Sequence, residues 1–89
     1  MIVDLWGIDQ SIKADVIRGL KDRRIEGLDD DNVMLLATHD HAGPGGFTRY
    51  NLYNMTAGGY VAQSHDAVVS GIVAALRRAD ARMARTTVR

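Results

Sequence analysis

Two histidines one residue apart, His39 and His41, lie in the run Thr38-His39-Asp40-His41-Ala42-Gly43-Pro44-Gly45-Gly46, which also holds the chain's one proline and three of its nine glycines. Imidazole can ligate a metal, carry a proton or donate a hydrogen bond near neutral pH, so such a pair suits a metal or a polarised carbonyl. In an extended backbone alternate side chains share a face, which predicts His39 and His41 on one side and Asp40 on the other. A catalytic zinc takes three protein ligands and a water, so two imidazoles need further ligands from elsewhere. A structural loop whose histidines bond backbone groups is the competing reading of the same spacing.

The glycines carry a separate meaning. Gly43, Gly45 and Gly46 permit positive φ and close backbone approach, so their amides could line an anion or oxyanion site, while Pro44 stiffens the turn. No G-x-G-x-x-G or Walker pattern is present, and Ser11, Ser64 and Ser70 fall on predicted helices without a strand-to-helix elbow. The third histidine, His65, falls on the apolar stripe of a predicted helix. It is either a buried, hydrogen-bonded core residue or a ligand, and no second ligand sits one turn away.

The elements that must position the loop follow from periodicity. Met1 to Leu5 or Trp6 is short, apolar and β-branched, a strand. Asp9 or Ser11 caps a helix in which Ile12, Val16, Ile17 and Leu20 form the apolar face, ending near Arg24. Gly27 to Asn32 is a solvated loop, since its acid run lacks the alternating ligands of a calcium loop. Val33 to Thr38 is a second strand, apolar on both faces, which places it in a covered, larger parallel sheet. Phe47 to Met55 predicts a short helix ended by Gly58-Gly59. A long helix from Tyr60 or Val61 to about Ala84 has Val61, His65, Val68, Val69, Ile72, Val73, Leu76, Ala79 and Met83 in one stripe. The predicted fold class is α/β, a β-α-β-loop-α-α piece of a larger sheet-containing catalytic domain. The histidine loop leaves the carboxyl end of its second strand, the edge where open α/β sheets collect ligands.

Composition bounds the rest. Residues 1–89 make one domain, 46% hydrophobic and 25% charged, with formal net charge zero. That balance gives no global attraction to nucleic acid, and none is expected as a partner. The end from Arg77 onward is locally basic, a solvated helix face or a surface for phosphates or membranes using Arg77, Arg78, Arg82, Arg85 and Arg89. Cysteine is absent, which removes disulfides and thiolate zinc sites. No signal peptide is visible, and no run approaches the ~20 apolar residues of a membrane span. The cellular location is left open.

Two known patterns bear on the loop. The metallo-β-lactamase superfamily has T-H-x-H-x-D-H-x-G-G after a strand, but Gly43-Pro44 stands where its second-metal Asp-His would be. The run resembles more closely the T-H-T-H-S-G-P-G-G loop of the neutral/alkaline ceramidase family. The likeness extends to Gly7-Ile8-Asp9-Gln10, Asp31-Asn32-Val33-Met34, Tyr50, Leu52-Tyr53, Asp66-Ala67-Val68-Val69 and Gly71-Ile72-Val73. Asp40 stands where that family usually has threonine, Ala42 where it has serine, and His65 where it has an apolar residue.

The resemblance implies a zinc-dependent amidohydrolase of sphingolipid metabolism that splits ceramide, an N-acylsphingosine, into sphingosine and a fatty acid. His39 then corresponds to a metal ligand for zinc, and His41 to a catalytic, substrate-binding residue near the lipid's polar groups. Family members are often secreted or membrane-associated, which implies peripheral membrane contact. Their remaining zinc ligands, a histidine, a glutamate and a tyrosine, and their active-site serine lie downstream of the residues matched here. The expectation is therefore a partial N-terminal catalytic domain spanning residues 1–89, inactive alone. The alternative is a non-enzymatic remnant or interaction module whose open sheet edges drive self-association.

Overall fold

The computed structural model describes residues 1–85 and 87. Its elements are strand β1 (Ile2–Val3), helix α1 (Gln10–Asp22), strand β2 (Leu36–Ala37), helix α2 (Asn51–Asn54) running into a 3-10 turn (Met55–Ala57), and helix α3 (Ala62–Asp80). The strands pair in parallel, Ile2 with Leu36 and Val3 with Ala37. This is the β-α-β order expected, and a two-stranded sheet with helices is compatible with an α/β class.

Helix α1 is capped by Asp9 rather than Ser11. The Asp9 carboxylate accepts from the Ile12 amide at 2.9 Å and from the Ser11 hydroxyl at 2.7 Å, the geometry of an N-cap. Its apolar positions Ile12, Val16, Ile17 and Leu20 are all buried. The helix ends in a Schellman motif, the Ile25 amide donating to the Leu20 carbonyl at 3.0 Å and the Arg24 amide to that of Lys21 at 3.0 Å. Arg24 takes the left-handed position with φ 55, which glycine usually fills.

Helix α3 lies against α1 through Ile72 and Val73. Close approach is set by Gly19, where an added Cβ would come within 2.9 Å of Val73 Cγ2. A mid-helix glycine costs about 1 kcal/mol relative to alanine, and here it makes room for the neighbouring helix. Leu5, Val33 and Phe47 complete the core, with Val3 and Leu35 packed against it.

Several expected extents need correction, the first being the opening strand, expected from Met1 to Leu5 or Trp6 and paired only over Ile2–Val3. The second strand was expected over 33–38, apolar on both faces and covered; its ladder is Leu36–Ala37, with Met34 69% and Leu36 50% exposed. Side chains alternate across a strand: Val33 and Leu35 turn toward the helices, while Met34, Leu36 and Ile2 turn away. Among the described residues the helices cover only that one face. The Phe47–Met55 helix is the shorter α2, because Phe47 and Thr48 are buried in irregular chain and Thr48 Oγ1 bonds the buried Asn54 at 3.1 Å. The Gly58 stop holds, with φ 80. Helix α3 ends at Asp80, short of Ala84, with Arg77 and Arg78 in its last turn. Arg89 lies outside the described residues.

Candidate functional site

The histidine loop leaves β2 and stays tied to β1. Thr38 donates its amide to Val3 at 3.1 Å, and the amides of His39 and Asp40 both donate to the Leu5 carbonyl at 3.0 and 3.1 Å. The backbone at His39 then turns into the left-handed region, φ 67. This corrects the extended geometry expected for the pair. A non-glycine residue held there is strained, and three bonds to Val3 and Leu5 hold the segment in place.

The turn still brings the imidazoles together, ring centroids 4.6 Å apart and nearly perpendicular. Asp40 points elsewhere: its carboxylate accepts from the Ala42 amide at 2.8 Å and closes the next turn. His39 Nδ1 lies 2.8 Å from the Trp6 carbonyl. A carbonyl only accepts, so Nδ1 carries the proton, and in the neutral ring the lone pair is on Nε2. A backbone carbonyl fixing one ring nitrogen is how metal-ligating histidines are commonly oriented. Nε2 has no hydrogen-bond partner among the described residues, and both rings are exposed.

Trp6 and Tyr53 stack beside the pair. Their ring centroids are 5.2 Å apart, and Trp6 lies 5.7 Å from His39. With Thr48 they form a wall between two open clefts. His39 opens into one of about 450 Å³, with Tyr50 and the α1 N-terminus on its far side. His41 opens into the other, about 420 Å³, along the Gly43–Gly46 backbone and Leu52. One cleft thus carries the oriented imidazole and the other a second imidazole beside glycine backbone. Gly46 has φ 74, and its carbonyl accepts from the Val61 amide at 2.8 Å, fastening the loop's far end to the start of α3.

The donor set can be compared with what zinc requires. His39 has the orientation of one ligand, His41 adjoins it, and no group of three or more histidine, aspartate or glutamate side chains able to hold a metal occurs among the described residues. Two imidazoles would supply part of a three-ligand zinc set, and no such set is complete among the described residues.

His65 lies outside this site. It is 1% exposed, with Nδ1 2.7 Å from the Phe47 carbonyl and Nε2 2.8 Å from Asp15 Oδ2. The hydrogen-bonded core reading is the one the structure bears out. Sequence reasoning missed Trp6, Thr48 and Tyr53 as cleft walls and Asp15 as the partner of His65. Tyr53 carried a signal as part of the Leu52-Tyr53 likeness; the Asp15 pairing spans fifty positions and left none.

The unit is strand-helix-strand, and its histidine- and glycine-rich loop lies at the carboxyl end of the parallel strands, the edge where open α/β sheets collect ligands. Comparison with known proteins makes this specific. Residues 1–89 match the family model for the neutral/alkaline non-lysosomal ceramidase N-terminal region, and the chain belongs to that family. It is 42% identical over 80 residues to a neutral ceramidase of Pseudomonas aeruginosa, covering 90% of this chain and 12% of that protein. It is 39% identical over 75 residues to a neutral ceramidase of Mycobacterium tuberculosis, covering 84% and 12%, and 43% identical over 70 residues to neutral ceramidase 3 of Arabidopsis thaliana, covering 79% and 10%. The chain thus spans about an eighth or less of these relatives. No solved structure matches.

Proposed function

We propose that this chain is the part of a zinc-dependent ceramide amidohydrolase that carries the His-x-His loop, and that its 89 residues are inactive alone. The observation that carries the reading is the fixed orientation of His39, its ring lining an open cleft with Nδ1 bonded to the Trp6 carbonyl and Nε2 without a hydrogen-bond partner among the described residues. Zinc, when bound, supplies a Lewis acid for the amide carbonyl and an acidified water.

His39 would contribute one ligand through Nε2. His41, its ring 4.6 Å away, would donate a hydrogen bond to the substrate's polar groups or relay a proton. Trp6 and Tyr53 offer apolar surface to a lipid chain, and the Gly43–Gly46 backbone allows close approach. With its remaining ligands outside the chain, zinc binding is expected to be weak. Calorimetric titration should give low-affinity binding that disappears in His39→Ala. Sub-micromolar, one-to-one binding lost in His39→Ala would overturn the claim that the site is incomplete, and binding unaffected by His39→Ala would overturn the ligand assignment.

A second reading, a self-associating interaction module, draws on the sheet face bearing Ile2, Met34 and Leu36, at 69%, 69% and 50% exposure. Apolar faces of this kind drive association. Light scattering separates the two, since a stable monomer argues against the module. Membrane contact through Arg77, Arg78, Arg82 and Arg85 should weaken as salt rises. No helix among the described residues is long and apolar enough to cross a membrane.

A further inference from the structure

His65 has acceptors at both ring nitrogens, the Phe47 carbonyl at 2.7 Å and the Asp15 carboxylate at 2.8 Å. A neutral imidazole has one N–H, so both bonds are made only by the doubly protonated ring. Three separate parts of the chain meet here: α1 through Asp15, the segment before α2 through Phe47, and α3 through His65 itself. Asp15 also accepts from Arg18 at 2.7 Å and from Arg49 at 2.9 Å, and the Arg49 amide donates to Asp9 at 3.2 Å. The segment fastened in this way, Phe47 to Tyr50, contains Thr48 and Tyr50, which line the cleft that His39 opens into.

We propose that His65 is a positioning residue: with Asp15 it forms a proton-dependent latch that holds the Thr48–Tyr50 wall in place opposite His39. Loss of one ring proton leaves a lone pair facing either a carbonyl or a carboxylate, so one of the two bonds must break: the wall loses its tie from Phe47 to α3, or α3 loses its tie to Asp15, while the Arg49 bonds to Asp15 and Asp9 remain. The hydrogen bond from His65 holds the Asp15 carboxyl below its ordinary value, against the opposing effect of burial and with help from Arg49 and Arg18. Asp15 is thereby favoured as a carboxylate, the acceptor that the ring faces. The other ionisable groups of the cluster are Tyr60, 5.8 Å away between ring centroids, Asp66 next to His65 in the chain, Arg18 and Arg49, both paired with Asp15, and Asp9, which accepts from the Arg49 amide. The role assigned to the cleft wall rests on the proposed function; the latch itself does not, and its test needs neither zinc nor substrate.

Ring and amide signals of the isotopically labelled full chain, followed by NMR across a pH titration, read the latch directly. At the acidic end of the His65 transition both its ring nitrogens should be protonated, and the amides of Thr48, Arg49 and Tyr50 should shift with the same midpoint as the His65 ring. In His65→Gln that shared transition should vanish, whereas in His39→Ala it should persist. Three results would overturn the proposal: amides that stay still while His65 titrates, amides that follow His39 or His41 instead, or collapse of the whole dispersed spectrum at the His65 midpoint, which would mean global unfolding rather than a local release. Failure of zinc to bind would count against the proposed function and leave the latch standing.

Discussion

His65 and His39 are the same side chain put to opposite use. His65 is buried between two helices with both ring nitrogens bonded. His39 is exposed, with one nitrogen bonded to a backbone carbonyl and the other free among the described residues. A histidine whose polar capacity is fully used stabilises; one that is oriented but unsaturated is available for chemistry. The two regions differ in support as well. The α1–α3 core is held by packing, whereas the loop is held by backbone bonds to Val3 and Leu5 and carries its strain at a left-handed histidine.

That contrast can be tested by substitution. Leu20→Ala, in the centre of the α1–α3 core, should cost about 2–5 kcal/mol in denaturant unfolding. For a chain this small such a loss approaches the whole stability. Next in size, Asp15→Asn removes a carboxylate bonded by a buried histidine and two arginines, and about 2 kcal/mol is expected. Because the Asp15 carboxyl is lowered in the folded state, its contribution is fully present above the unfolded value of about 3.9 and is lost as pH falls through the folded value. Acid unfolding of Asp15→Asn should therefore fall off less steeply than that of the native chain, and an unchanged acid limb would break the assignment of that network to stability.

Smaller effects sharpen the comparison. Arg24→Gly relieves the left-handed position at the end of α1 and should raise stability by about 1 kcal/mol. His39→Ala should change unfolding by less than about 1 kcal/mol, since an exposed side chain with one hydrogen bond is removed. A loss as large as that of Leu20→Ala would mean that His39 is a structural residue after all.

What could be read from the sequence divides along the same line. The apolar stripes of α1 and α3 were legible because burial repeats with the helix, and Ile12, Val16, Leu20, Ile72 and Val73 are all core. Both the likeness to the ceramidase family and the parallel strand order were legible too. The extent of the strands was not, because Met34 and Leu36 look like core by type while only one face of the sheet is covered here. The closeness of His39 to His41 was expected from an extended chain and arises instead from a left-handed turn, which histidine adopts more readily than most residues but which no local pattern locates at this position. The bonds that separate the two kinds of histidine, His39 to the Trp6 carbonyl and His65 to Asp15, join residues 33 and 50 positions apart. Local patterns do not reach so far.

The most direct test is long-range proton-nitrogen correlation of the three imidazoles with and without added zinc. Before zinc, at a pH where the His39 ring is neutral, its Nδ1 should carry the proton and Nε2 should be bare. On addition, His39 Nε2 should shift first, His41 should respond as its neighbour, and His65 should stay unchanged. A protonated Nε2 on neutral His39, or zinc shifts at His65 with none at His39, would contradict the division of labour between the loop and the core.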